Sequence, residues 1–338
     1  MEQANPIAAE LLRICAFLAP DAIPEELLVE ALKTPLAVSE GSGEEGNGFS
    51  LLTPGQLHEA TALLRAYSLL QRQTKDQTVA VHRLVQIMIR EAIAEQAQVG
   101  WIGRVIGAVN RLFPDVAFST WGQCARYVSQ ALVCAAWIAQ RHLTLLEGAS
   151  LLHRTGWYLV DRAQHAEAEP LYLRALAIRE QELGASHPDT ASSLNNLADL
   201  YYAQGKYAEA EPLYVHALAI CERELGASHP STALSLNNLA ALYKNQGKYA
   251  EAEPLYLRAL AICERELGAS HPDTASSLNN LAGLYWSLGK YAEAEPLYLR
   301  ALAIYEQELG AQHPTTQIIQ ANYTSLLAAI KQAEEVDS

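Results

Sequence analysis

The chain is poor in the residues that staple or metallate a protein. Its 338 residues include five cysteines, an odd number, with no Cys-x-x-Cys pair and no Cys/His spacing of the kind that holds zinc. Cys221 and Cys263 stand at equivalent places of adjacent sequence repeats. Such places are too far apart to bridge, since a disulfide needs Cα atoms within about 7 Å. Reduced thiols and a cytoplasmic setting are expected. The N-terminus, "MEQANPIAAELLRICAFLAPDA", lacks a basic leader region, and Glu10 and Arg13 interrupt its apolar run, so it is not a signal peptide. No stretch approaches the roughly 20 apolar residues of a membrane span. Positive charge is scarce: the formal net charge is −14, which argues against nucleic acid or an anionic membrane as partner. The signatures of catalysis are missing too. There is no GxxxxGK[ST] loop to cradle a phosphate, no acidic strand to accompany it, no GxSxG, no HExxH and no recognisable Cys/His pair. The chain is expected to be non-catalytic, with no metal and no cofactor of its own.

What is present is a repeat. "HP" occurs at His187-Pro188, His229-Pro230, His271-Pro272 and His313-Pro314, and "EAEPLY" starts at Glu167, Glu209, Glu251 and Glu293, always 42 residues apart. Three full units run 187–228, 229–270 and 271–312. A diverged unit precedes them from about 149, and a partial one follows to about 330, leaving 331–338 as a disordered tail. Each unit reads as two helices. Asp189, Ser231, Asp273 or Thr315 is placed to cap the first. In "TASSLNNLADLYYAQ", Leu194, Leu197, Ala198 and Tyr201 share a buried stripe at about 100° per residue, and Gly205 stops the helix. The second helix, "YAEAEPLYVHALAICEREL", carries Pro212 near its start, where a missing N–H does little harm. Neither stripe can be buried within one unit, so neighbours must stack.

The phrase "LNNLA.LY..QGKY.EAEPLY.RALAI.E.ELG..HP" resembles the tetratricopeptide repeat, and its 42-residue length resembles the kinesin-light-chain type. The likeness is strong over 187–312 and weak over 151–186. It implies a mostly α protein, a right-handed superhelix whose first helices line a concave groove that takes a partner protein or an extended peptide. On the helical wheel Ser192, Asn195, Asp199 and Tyr202 share the face that would line that groove. Their counterparts are Leu234, Asn237, Ala241 and Lys244, then Ser276, Asn279, Gly283 and Trp286, with His153, Trp157 and Val160 in the diverged unit. Only the Asn is constant across the strong units. An amide has both donor and acceptor, so Asn195, Asn237 and Asn279 are expected to meet a peptide backbone. The alternative is that they bond to neighbouring repeats or water. Asn196, Asn238 and Asn280, one step further round, are expected to pack between repeats. Trp157 and Trp286 are either groove anchors or partly buried fillers. The repeated His is expected to cap and not to bind metal, because stacked units are too far apart to share an ion with bonds near 2 Å.

Residues 1–98 read differently. Helices at 7–18, after Asp21 with Pro24 in the first turn, and at 53–70 are separated by "GSGEEGNG" (41–48), which is expected to be a flexible loop. A β-hairpin follows around Thr74 to Gln77, then another helix. This is a winged-helix order, but the third helix offers only Arg65 as a base, beside Glu59, too little for DNA. "LLRICAFLAPDAIPEELL" and "VAVHRLVQIMIRE" are similar to the winged-helix segment of NB-ARC-type NTPases of the STAND signalling class. That resemblance implies a nucleotide domain upstream, with ATP or ADP bound there and His82 touching its phosphate. The plainer alternative is that His82 caps the next helix. Residues 99–148 are expected to be a helical bridge with Trp121, Cys124 and Tyr127 on one face. The whole is expected to be the ligand-sensing C-terminal arm of a larger switch, or else a free-standing scaffold.

Overall fold

The computed structural model describes residues 5–33 and 54–337, so the 41–48 stretch lies outside the described residues. Two compact units meet between residues 182 and 183.

The first unit begins with α1 (Pro6–Ala16), β1 (Ile23–Pro24), α2 (Glu25–Lys33) and α3 (Pro54–Ala66), followed by β2 (Gln71–Gln73), β3 (Thr78–Ala80) and α4 (Arg83–Ala92). The hairpin forms with its turn where expected. A third strand was not expected. Ile23 pairs with Val79 and Pro24 with Thr78, giving an antiparallel sheet in the order β1-β3-β2. Pro24 therefore lies in a strand rather than in the first turn of α2. It is tolerated because an edge strand leaves its missing N–H unneeded, and the wholly buried Ile23 anchors the segment.

Helix α1 ends inside the protein, where its last carbonyls have no helical partner. Side chains distant in sequence satisfy them. Gln86 donates to the carbonyls of Cys15 (2.7 Å) and Leu18 (3.0 Å), Arg90 to Ala16 (2.5 Å) and the Trp137 indole to Phe17 (3.0 Å). Arg104 does the same for α2, donating to Ala31 (2.6 Å) and Leu32 (3.0 Å) while meeting Glu10 at 3.4 Å. These donors come from α4, α5 (Glu95–Leu112) and α6 (Trp121–Gln140). Residues 99–148 are thus part of the same core rather than a bridge between two bodies. Cys124 and Tyr127 are buried, as expected, and the Trp121 indole reaches Asp161 (3.2 Å). Next come α7 (Leu146–Asp161) and α8 (His165–Leu183). Gly148 of α7 lies close against Ile138 and Ile106, and Arg154 donates to the Asn110 carbonyl (2.6 Å). The diverged unit therefore folds into this first body, so the compact division falls at 182 and not at 149.

The second unit is a run of helix pairs: α9 (Pro188–Ala203) with α10 (Tyr207–Glu224), α11 (Pro230–Asn245) with α12 (Tyr249–Glu266), α13 (Pro272–Ser287) with α14 (Tyr291–Leu309), and α15 (Pro314–Asp337). Each core cluster draws on three helices. Ala198, Ala210 and Tyr214 of one pair close on Leu239 and Leu242 of the next, and the set recurs as Ala240, Ala252, Tyr256, Leu281 and Leu284. Stacking buries what a lone pair could not.

The capping differs from expectation. The N-cap residue is the His itself. The Nδ1 atoms of His187, His229 and His271 each accept from the backbone N–H two residues on at 3.1 Å, and His313 does so at 3.2 Å. Asp189, Ser231, Asp273 and Thr315 supply that N–H rather than the cap. Pro takes the first helical position, where its fixed φ suits the helix. Pro212, Pro254 and Pro296 are each the sixth residue of their helix. That is past the first turn, so each removes an internal hydrogen bond that packing must offset. Gly205 has φ +74° and lets the Lys206 N–H return to the Tyr201 carbonyl (2.8 Å), closing α9. Helix α15 continues to Asp337. The "KQAEEV" run has no Gly or Pro, so 331–337 are helical rather than a disordered tail. All five cysteines are free and buried. Among the described residues no helix is long and apolar enough to cross a membrane.

Candidate ligand-binding face of the repeat array

Helices α9, α11 and α13 carry the paired asparagines, and the structure exchanges the roles expected of them. Asn195 and Asn237 are 6% and 7% exposed. Their Nδ2 atoms donate to Ser235 (2.9 Å) and Ser277 (2.8 Å) on the next repeat. They therefore join repeats and do not line an open groove. The physical reason is that each first helix is covered on two sides, by its own partner and by its successor. The buried arc is wider than the Leu194 stripe, and the next residue falls inside it. Their Oδ1 atoms are buried without a partner. Asn279 is partly buried, and its Oδ1 accepts from Asn322 (3.1 Å), since Ile319 stands where Ser235 and Ser277 would predict a hydroxyl.

The second asparagines sit on the open side. Asn238 donates to Asp199 Oδ1 (3.3 Å), joining α11 to α9 across that side, and Asn196 donates to the Ser192 carbonyl (2.8 Å). Asp199 also accepts a 2.5 Å hydrogen bond from the Tyr214 hydroxyl. Crowding by the surrounding helices pushes the Asp199 carboxyl up to about 6, against the pull of that hydrogen bond. Solvent still reaches the residue, and this limits the rise. The same pair pushes the Tyr214 phenol well up, by burial first and by the carboxylate second.

Along this face Tyr202 accepts from the Asn245 amide. Lys244 is partly buried, and Trp286 is 39% exposed. Asp199, Tyr202 and Lys244 thus share one face with Asn238 and Asn245. The sequence pattern had not marked Asn245. It had marked Asn238, for packing. The available signal was the constant Ser of "SLNN", which pairs with the first Asn of the preceding repeat and leaves the second free. His153 and Trp157 belong to α7 in the other unit. Their rings meet edge-on at 6.3 Å, and Trp157 is 45% exposed. His82 is exposed and caps α4, its Nδ1 accepting from Leu84 N–H at 3.2 Å. Among the described residues no three His, Cys, Asp or Glu side chains gather as a metal site would require.

Comparison with known proteins bears on both units. Residues 1–98 match a domain of unknown function (DUF7779). A nucleotide-binding leucine-rich repeat (NLR)-like protein of Hyaloscypha variabilis is 33% identical over 196 residues, which is 58% of this chain and 18% of that protein. The match therefore spans less than a fifth of the relative's length. Among solved structures, a Podosopora anserina protein described as a kinesin light chain with nearly identical TPR-like repeats is 26% identical, covering 60% of this chain and 94% of that one with a TM-score of 0.49. BtubC (BKLC) from P. vanneervenii is 25% identical over 66% of this chain and 92% of its own, with a TM-score of 0.46. The tetratricopeptide-repeat family model matches at 149–223, 194–252 and 231–307. With its 42-residue period and stacked helix pairs, the chain carries a tetratricopeptide-repeat array from 149 to 307.

Proposed function

We propose that the array binds a partner protein or extended peptide along the open face of α9, α11 and α13. One observation carries this reading. Polar and aromatic side chains recur on that face at one-repeat spacing, from Asp199 and Tyr202 through Asn238, Lys244 and Asn245 to Trp286, outside the hydrophobic core. A main chain laid across successive helices meets such groups in register. The chain itself is non-catalytic in this reading and needs no cofactor.

We further infer that the array is the sensing arm of a STAND-type signalling NTPase. Likeness to an NLR-like protein over more than half of this chain supports the context. ATP or ADP would belong to a nucleotide-binding domain in the same polypeptide, and the winged-helix-like segment, with exposed His82, would pass the ligand signal to it. A free-standing scaffold is the second reading. The experiment is to obtain the complete gene product and measure ADP release with and without an array-bound peptide. Peptide-dependent release supports the switch. A complete product without a nucleotide-binding domain removes it and leaves the scaffold. A DNA-reading role is disfavoured, because α3 carries Arg65 alone as a base.

A further inference from the structure

The first strong repeat contains its own carboxylate, and this shows what the third repeat lacks. In the first, Asp199 places a carboxylate between the Tyr214 hydroxyl and the Asn238 amide. Adding two periods gives Gly283, Tyr298 and Asn322. Tyr298 is 2% exposed and its hydroxyl has no hydrogen-bond partner among the described residues. At Gly283 a Cβ would meet Lys244 Nζ at 2.9 Å and the Tyr298 hydroxyl at 3.4 Å. An ammonium and a phenol therefore converge where Asp199 leaves its own helix in the first repeat.

Lys244 also stands apart from its neighbours. Lys248 and Lys290 reach Glu211 (3.3 Å) and Glu253 (3.7 Å). Lys244 has no acidic partner among the described residues, although it is partly buried. Burial lowers its pKa, the direction expected of an ammonium denied a counter-ion. In the second repeat Ala241 takes the place of Asp199. The residue facing it by the same repeat relation is Tyr202, whose hydroxyl is already bonded to Asn245. Cation and open place coincide once, at Gly283.

We propose that Lys244 and the Tyr298 hydroxyl form a carboxylate-binding subsite over Gly283, which takes an acidic group of the ligand where Asp199 supplies one internally. The inference rests on the open face being the peptide-binding face and names the chemistry recognised there. Asn322, the counterpart of Asn238, has one amide hydrogen committed to Asn279 and a second to offer. The carboxylate can come from an Asp or Glu side chain or from a peptide C-terminus.

The test uses the full chain and acetylated, fluorescent positional-scanning decapeptide libraries, one set amidated and one with a free C-terminal acid, read by anisotropy. Lys244→Met removes the cation. Gly283→Asp fills the place with an internal carboxylate. Gly283 is helical with no left-handed φ, and the one very close contact is the mobile end of Lys244, so this variant should fold and keep its Tm. The wild type should prefer an acidic residue at one position of the amidated set by about ten-fold. Both variants should lose that preference and keep residual binding. A preference for the free-acid set alone assigns the C-terminus as the source. Peptide binding without any acidic preference, or a preference that survives Gly283→Asp, overturns the subsite and leaves the binding face standing. No peptide binding in either library overturns both. If Gly283→Asp fails to fold, a preference unchanged in Lys244→Met overturns the proposal by itself.

Discussion

The two units solve one problem in opposite ways. In the first, the buried ends of α1 and α2 are satisfied by single donors from far along the chain, Gln86, Arg90, Arg104 and Trp137, each used once. In the second, a small set of bonds is repeated every 42 residues: a His cap, a Thr hydroxyl to a loop carbonyl (2.9, 2.9 and 2.8 Å for Thr190, Thr232 and Thr274) and an Asn–Ser link. Unique bonds make a body that a single loss can open. Repeated bonds make one that loses stability in instalments and keeps a surface free for other work.

The largest effect should follow from Arg104→Met. It strands two buried carbonyls and Glu10, whose carboxyl burial already raises against the pull of Arg104. We expect a loss of about 3–5 kcal/mol in urea unfolding, with faster hydrogen exchange confined to residues before 183. Fast exchange in α11 or α13 would blur the distinction between the units.

Asn237→Ala should cost about 1–2 kcal/mol by removing the link to Ser277, while ligand affinity changes less than about two-fold. Asn238→Ala should do the reverse. Calorimetry with one peptide on both variants checks the exchange of roles. A large affinity loss in Asn237→Ala alone would restore the groove role for the first asparagine.

His229→Ala should lower stability by about 0.5–1 kcal/mol, because one cap among four equivalent ones is lost. Thermal melts in the presence and absence of EDTA separate a cap from a metal ligand, and only the cap predicts no effect of the chelator.

The smallest effect concerns Asp199. Its folded-state pKa is raised, so the folded protein holds the proton more tightly than the unfolded chain does. Stability from this group is present at low pH and declines as pH rises from the unfolded value toward about 6. Asp199→Asn should therefore raise Tm slightly at pH 7.5 and leave it unchanged near pH 4. A fall in Tm at pH 7.5 would mean that ionised Asp199 stabilises the fold.

How much could be read beforehand follows from the same contrast. The helix pairs and their glycine stops were legible because 42-residue recurrence fixes phase several times over. The hairpin was legible from alternation around 74–77. Strand β1 was not, since two residues carry no period and only Val79, far along the chain, defines them. The phase of Asn195 was missed because a wheel drawn on one helix does not include the neighbour that widens its buried arc. The caps were misplaced by two residues because Asp and Ser are familiar caps and His is not, although its ring nitrogen accepts equally well. Asp199, Tyr202 and Lys244 were legible as one face. Their link to Tyr214 and Tyr298 on the second helices needed the packing.

The central claim is that ligand lies on the open face of α9, α11 and α13. The most direct measurement is photo-cross-linking of the full chain to the tightest decapeptide from the libraries, with one benzophenone-bearing residue moved along it. The account predicts adducts at Asp199, Tyr202, Asn238, Lys244 and Trp286, advancing one repeat at a time as the label moves. Adducts instead on Val215, Leu257 and Leu299, which are 45–46% exposed on the second helices, would contradict it.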